Sequence, residues 1–255
     1  ITRSSSSPTG TRARPAGAGL WISTYRRTRG RPVEAATALL DELLAVVGND
    51  DVTALAVAGS AAETIARKLG VRQINEFKAI AAAGRWLTPG TPTLFEMGGE
   101  TSKFLQLQPD APAEDLGIID YQTNGDCAAG TGSFLDQQAG RLHYDITDVG
   151  GIVGQADRAA QVAGRCSVFA KSDMIHAQQK GYDPPEVLRG LCDAVARNFR
   201  SAVVRSRSLQ TPVALIGGVA ANSAVVRAMR ETFELDAEAL YVPAGFAHFA
   251  AVGAA

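Results

Sequence analysis

The sequence predicts an α/β fold, and two kinds of pattern support this prediction. Two segments, 52–69 and 213–232, each run from an apolar stretch through a glycine turn into a stretch with helical spacing. Between them, residues 93–107 alternate as two strands around a turn that contains glycines. Alternating strands, turns and helices are typical of a sheet covered by helices. With 255 residues, 46% of them apolar, the chain can build a core of that kind.

The N-terminal part begins with a segment that has little to bury. Residues 1–19 are rich in Ser, Gly, Pro and Arg, and we expect them to be disordered. Residues 20–25 alternate like a short strand, and Pro32 marks a helix that runs to Val47. Residues 52–60 predict a buried strand and residues 62–69 a helix.

The rest of the chain continues the alternation. Paired prolines at 184 and 185 mark the start of its longest predicted helix. The predicted elements are a β-hairpin over 93–107, strands over 118–122, 213–216 and 240–242, and helices over 133–141, 169–176, 185–207, 222–232 and 247–255.

Composition narrows the classes of partner and compartment. The formal net charge of −1 offers no electrostatic case for nucleic acid or an anionic membrane, so we expect a small-molecule or protein partner. Three cysteines are too few for a disulfide framework, which fits a reducing compartment, the cytoplasm by default. No stretch approaches the roughly 20 apolar residues that span a bilayer.

Two glycine-containing turns are candidates for ligand binding. Gly98–Lys103 offers backbone N–H groups, hydroxyls and an ammonium, which suit phosphate oxygens. Gly217–Asn222 lies between a strand and a helix, where a flat ligand such as adenosine could approach the backbone. Each segment also fits an ordinary tight turn, and neither is a P-loop or a Rossmann fingerprint.

Two cysteines are candidates for metal ligation. Cys127 precedes a predicted helix, and the small residues Gly130, Thr131 and Gly132 are expected to leave the first-turn N–H groups open to an anionic cluster or phosphate. Cys127 and Cys166 would be half of an iron–sulfur ligand set, which a second copy of the chain could complete. The alternative is that both are buried and inert. Cys192 lies in an apolar helical pattern and is interpreted as a core residue.

Four segments in order carry a resemblance to a known family. They are Glu96–Lys103, Asn124–Phe134, Arg165–Asp173 and Gly217–Asn222. The set resembles the activators of 2-hydroxyacyl-CoA dehydratases and the related benzoyl-CoA reductase ATPase subunits, the BadF/BadG/BcrA/BcrD family. The resemblance covers roughly residues 24–255.

The resemblance implies a two-lobed ATPase of the actin, Hsp70 and sugar-kinase superfamily, with a ribonuclease H-like fold. It implies a homodimer that shares one 4Fe-4S cluster through Cys127 and Cys166. The homodimer would bind ATP with Mg²⁺ and hydrolyse the ATP to ADP. An electron from ferredoxin or flavodoxin would pass to a dehydratase or reductase partner. The implied nucleotide-binding residues are Gly98, Gly99, Glu100, Thr101, Ser102, Lys103, Gly130, Thr131, Gly132, Gly217, Gly218 and Asn222.

The implied lobes are unequal. Residues 20–90 would be a remnant of the first lobe, 91–240 the second lobe with the cluster cysteines, and 241–255 a helix that packs back toward the first. Nothing in residues 1–23 resembles the family's first phosphate hairpin, and the chain begins with Ile. We therefore expect an incomplete first lobe, whether from truncation, a shifted reading frame or a longer fused protein.

A departure from the family pattern affects the metal, and other functions stay open. Glu100–Thr101 stands where the family usually has Gln-Asp, which bears on Mg²⁺ and water positioning.

The alternative function is a small-molecule kinase or nucleotide-binding regulatory module without a cluster, since one fold hosts several chemistries. A third is a remnant that folds without doing chemistry.

Overall fold

A computed structural model describes residues 22–23, 25–48, 52–112, 114–125, 130–163 and 167–255. The chain divides into two compact units. The first contains the described residues up to Ala83 together with His248–Ala255, and the second is Gly84–Ala247. The assignment of ATPase lobes to residues 20–90, 91–240 and 241–255 stays a prediction.

The described residues form helices and strands in alternation, as the α/β prediction requires. The helices are α1 (Pro32–Val47), α2 (Ala62–Leu69), α3 (Glu76–Leu87), α4 (Gly132–Arg141), α5 (Val149–Val153), α6 (Ser167–Gln179), α7 (Pro184–Asn198), α8 (Ser223–Phe233) and α9 (Phe249–Ala254). The strands are β1 (Ala56–Val57), β2 (Arg72–Gln73), β3 (Thr93–Met97), β4 (Ser102–Leu107), β5 (Ile118–Thr123), β6 (Val213–Ile216) and β7 (Leu240–Tyr241).

The second unit is organised around one five-stranded sheet in the order β5-β4-β3-β6-β7. β3 and β4 form an antiparallel hairpin, and β6 runs parallel to β3 on its other side. All five residues of β3 and all four of β6 are buried. The centre of this sheet is therefore a rigid base for the loops that follow its strands.

The core of the second unit lies on both faces of the sheet. On one face, Phe95 packs against Phe199 and Phe233, with ring centroids 4.9 and 5.0 Å away. On the other face, a Cβ on Gly84 of α3 would come 2.6 Å from Leu94 Cδ1. The last turn of α3, which belongs to the second unit from Gly84 onward, can approach the sheet this closely because position 84 has no side chain.

Several predicted elements differ from the observed ones. The predicted strand over 52–60 is only Ala56–Val57 and half-buried, because the parallel pairing with β2 covers just two residues. In the predicted strand 20–25, the described residues 22, 23 and 25 form no strand. The α-helix predicted to reach 207 ends at Asn198 and continues as a π-helix over Phe199–Val204. Sequence reasoning missed α3, α5 and β2.

Candidate functional site

The two candidate glycine turns follow neighbouring parallel strands. Gly98 comes directly after β3 and Gly217 directly after β6, so both loops lie at the same edge of the sheet. Gly217 has a φ of 91°, and a Cβ there would lie 2.4 Å from the Met97 carbonyl oxygen. The Gly217 N–H donates to Phe246 O at 2.8 Å. A side chain at position 217 would force the loops apart.

The N-terminus of α4 packs onto the first of these loops. The Gly132 and Ser133 amides donate to the carbonyl oxygens of Gly98 and Gly99, at 2.9 and 2.8 Å. A Cβ on Gly132 would lie 3.0 Å from Val219 Cγ2, in the second loop. Three predicted segments therefore meet, and we call residues 98–101, 131–133 and 217–222 the glycine junction.

This contact corrects one expectation. The first-turn N–H groups of α4 were expected to be open to an anion, but those of Gly132 and Ser133 are satisfied by the hairpin loop. Backbone carbonyls are the nearest acceptors once the loop packs on the helix end, and they replace an external anion. For these two amides the expectation is wrong.

The hairpin tip is an exposed part of the glycine junction. Gly99 and Glu100 are exposed, and a Cβ on Gly99 would meet no atom within 4 Å. Thr101 is half-buried, and its carbonyl oxygen accepts from the Gly98 N–H at 2.9 Å. The tip is therefore the place where phosphate oxygens and a hydrated cation can reach the loop.

A buried ion pair lies directly beneath the tip. Lys103 Nζ is 3.1 Å from Glu96 Oε2 and 2.6 Å from Thr101 Oγ1. Lys103 is 3% exposed and Glu96 8% exposed. The ammonium that was predicted to suit phosphate is directed into the hairpin. No role was predicted for Glu96 from the sequence alone. The hairpin register places Glu96 opposite Lys103, and this register could have predicted the ion pair.

Ser102 has a structural contact rather than an exposed hydroxyl. Its Oγ donates to Gly130 O at 2.8 Å, and its N–H donates to Asn124 Oδ1 at 2.9 Å. Ser102 is fully buried. The start of β4 therefore holds both described flanks of segment 126–129.

Asn222 ends the second loop and begins α8. Its Oδ1 accepts from the Ala224 and Val225 amides at 3.0 and 3.3 Å, which is a standard N-cap. Its Nδ2 is buried and has no hydrogen-bond partner among the described residues. Gly218 begins a short 3₁₀ turn that precedes this cap.

The predicted cluster ligands Cys127 and Cys166 lie outside the described residues. The described residues beside their segments contact consecutive positions of α7. A Cβ on Gly130 would lie 3.4 Å from Asn198 Cβ, and Arg197 Nη2 donates to Val162 O at 2.9 Å. Within the described ranges, no three His, Cys, Asp or Glu side chains gather in a way that could hold a metal ion.

Cys192 is a core residue, as predicted. It is fully buried on α7, and burial raises the pKa of its thiol to about 12. A thiol with that pKa stays protonated at neutral pH. Cys192 is therefore a suitable control for experiments on the other two cysteines.

Comparison with known proteins decides the family. The sequence profile of the BadF/BadG/BcrA/BcrD ATPase family matches residues 13–255. The chain belongs to this family. A curated relative, the 2-hydroxyisocaproyl-CoA dehydratase activator of Clostridioides difficile, is 31% identical over 158 residues. That alignment covers 62% of this chain and 57% of the relative, so the chain matches less than two thirds of the relative's length.

Solved structures agree with the family's fold. The activator of the 2-hydroxyisocaproyl-CoA dehydratase from Clostridium difficile, with bound ADPNP, has a TM-score of 0.74 at 26% identity and covers 93% of this chain and 84% of its own. Component A of the (R)-2-hydroxyglutaryl-CoA dehydratase from Acidaminococcus fermentans has a TM-score of 0.75 at 23% identity, with 93% and 85% covered. The predicted actin- and Hsp70-like α/β ATPase fold is confirmed. Among the described helices, none is long and apolar enough to cross a membrane.

Proposed function

We propose that the protein is an ATP-dependent activator of a 2-hydroxyacyl-CoA dehydratase or benzoyl-CoA reductase type enzyme. Membership of an ATPase family and a structural neighbour solved with ADPNP support the nucleotide. The observation that carries the proposal is the glycine junction, where three separate segments converge at the carboxyl ends of β3 and β6. The carboxyl ends of parallel strands are where ligands of open α/β sheets bind.

In this proposal the nucleotide uses different parts of the glycine junction for different groups. Gly98, Gly99 and Glu100 supply the exposed tip for phosphate oxygens and Mg²⁺, because no side chain covers the backbone at position 99. Gly217, Gly218 and Asn222 supply the surface for adenosine.

The remaining proposed nucleotide residues support these loops. Thr101, Ser102 and Lys103 hold the hairpin through the contacts of their side chains. Gly130, Thr131 and Gly132 hold it through the start of α4, where the Gly132 amide bonds to the tip. Their contribution to binding would be to fix the loop before the nucleotide arrives.

The cluster and the homodimer belong to the same proposal. Cys127 and Cys166 would each donate a thiolate, and the partner copy would donate the other two to one 4Fe-4S cluster. Gly130 and Val162, described residues near the two cysteine segments, contact neighbouring residues of α7. When bound, the cluster would take one electron from ferredoxin or flavodoxin and pass it to the dehydratase or reductase. A cytoplasmic location fits thiols that must stay reduced.

Anaerobic reconstitution with iron and sulfide tests the cluster. The wild-type chain should give a brown, oxygen-sensitive dimer with about four irons per dimer, as the ligand count predicts. Cys127→Ser and Cys166→Ser should each lose the iron and the colour. Cys192→Ala is the matched control and should retain both, because this thiol is buried and protonated.

Three outcomes would contradict the proposal. A colourless, iron-free monomer after reconstitution of the wild-type chain would exclude the shared cluster. Nucleotide-dependent activity that survives both cysteine substitutions would favour a kinase or regulatory module of the same fold. Calorimetry with ADP and Mg²⁺ tests the nucleotide separately, and absence of binding would favour a chain without chemistry.

A further inference from the structure

The carboxylate of Glu96 lies against both loops of the glycine junction. Glu96 is in β3, paired with Ile216 at the end of the parallel β6, and is 8% exposed. A Cβ on Gly98 would lie 2.8 Å from Glu96 Oε1, and one on Gly217 would lie 2.9 Å from the same atom. One carboxylate oxygen therefore occupies the space beside the Cα atoms of both glycines.

The other carboxylate oxygen pairs with Lys103. The Lys103 Nζ lies 3.1 Å from Glu96 Oε2 and donates to Thr101 Oγ1 at 2.6 Å. The antiparallel register places Lys103 directly opposite Glu96, and Lys103 is 3% exposed. At least two of the three ammonium donors therefore stay within the hairpin instead of pointing toward the solvent-exposed tip.

We infer that Glu96 is a positioning residue that sets the separation of the two glycine loops, and that Lys103 is its counterion rather than a phosphate ligand. This inference rests on the proposed nucleotide function of the glycine junction. Removal of one member of a buried ion pair takes a close opposite charge away from the other member, and the surrounding backbone moves in response. Replacement of both members by neutral side chains removes that penalty.

The two roles of Lys103 predict different binding patterns. A counterion acts on both loops through Glu96, so its loss weakens the binding of any ligand that needs both loops. A phosphate ligand acts on phosphate alone, so its loss leaves adenosine unaffected. Calorimetry with ADP and with adenosine therefore separates the roles.

The experiment uses Glu96→Gln, Lys103→Met and the double variant. Each single variant should weaken ADP and adenosine binding by a similar factor of about ten or more, and the double variant should return to within about threefold of the wild type. The inference is overturned if Lys103→Met weakens only ADP and Glu96→Gln adds a further, independent loss.

A control variant breaks a different ion pair on the same sheet. Arg207 pairs with Asp120 of β5 at 2.5 Å, and neither side chain belongs to the glycine junction. Arg207→Met should leave both affinities unchanged. Thermal melts of all variants show whether an affinity loss occurs in a folded protein. If Lys103→Met does not fold, folding of the double variant supports the counterion role, and failure of the double variant refutes it.

Hydrogen exchange tests the loop positions without a nucleotide. The Gly98 N–H donates to Thr101 O at 2.9 Å and the Gly217 N–H to Phe246 O at 2.8 Å, so both amides report on the loops. Both should exchange faster in each single variant and slowly again in the double variant. Slow exchange in every variant would overturn the positioning role. If the wild type binds neither ADP nor adenosine, the proposed function fails while this measurement still decides the role of Glu96.

Discussion

Two segments that look alike in the sequence have different structures. Each contains a strand, a glycine with positive φ and a helix: β1, Gly59 and α2 in the first unit, and β6, Gly217 and α8 in the second. β6 has four buried residues and α8 has five, whereas β1 is two half-buried residues and α2 buries only Ala62 and Ala66. The shared pattern therefore encodes the local turn, and neighbouring elements decide how deeply it is buried.

The largest difference is expected at the two glycines. Gly217→Ala combines a strained backbone with a Cβ 2.4 Å from Met97 O, and should lower the free energy of unfolding by about 3 to 5 kcal/mol. Gly59→Ala has a φ of 113° but meets no atom within 4 Å, and should cost about 1 to 2 kcal/mol. Urea unfolding measures both. Equal losses would mean that backbone strain alone matters and that the close contact at Gly217 does not.

A smaller difference is expected at the helix starts. Asn222 caps α8 through two backbone amides, so Asn222→Ala should cost about 1 kcal/mol, while Asn222→Asp should cost much less because it keeps the accepting oxygen. The N-cap Ala61 of α2 makes no side-chain bond, and the adjacent Ser60→Ala should change the free energy of unfolding by less than about 0.5 kcal/mol. Thermal unfolding of the three variants checks this. A loss from Ser60→Ala as large as that from Asn222→Ala would contradict it.

The smallest effect concerns a charge beneath α8. Burial raises the pKa of Asp193 above its usual 3.8, although Arg227 of α8 partly offsets it. An acid with a raised pKa in the folded state loses its stabilising contribution as pH rises through that pKa. The stability of the wild type relative to Asp193→Asn should therefore fall between pH 3 and pH 7.

Asp120 is a control whose pKa is shifted in the opposite direction to that of Asp193. Its hydrogen bond with Arg207 lowers its pKa below 3.8, so its contribution is present above that value and is lost as pH falls. The stability of the wild type relative to Asp120→Asn should fall when the pH is lowered from 5 to 3. Urea unfolding across this range measures both trends, and trends of the same sign would contradict the assigned causes.

Local sequence signals located most elements of the second unit. Proline and a capping aspartate start α7, and glycine turns end β3 and β6, so these boundaries depend on neighbouring residues alone. Helix α3 was missed, although its close approach to the sheet depends on Gly84. The contact is between Gly84 and Leu94, which belong to different elements, and no local sequence pattern predicts it.

The candidate site was predicted only in its parts. Sequence reasoning selected the turns at Gly98 and Gly217 and the small residues before α4. It did not indicate that the α4 amides bind the hairpin carbonyls, or that Lys103 is buried against Glu96. Both outcomes follow from which backbone and side-chain groups become neighbours after the sheet forms.

The α/β class, the two glycine turns and the resemblance to an ATPase family can all be predicted from the sequence, because each depends on residue types at short spacing. Which of the two turns is closely packed depends on the strands and loops that surround it in the fold. β6 is an interior strand, between β3 and β7, and its turn meets a second loop and a helix end, whereas β1 pairs with one short strand. Close packing leaves no space for a Cβ at Gly217, whereas the less buried turn at Gly59 leaves that space open and only its backbone conformation opposes a side chain.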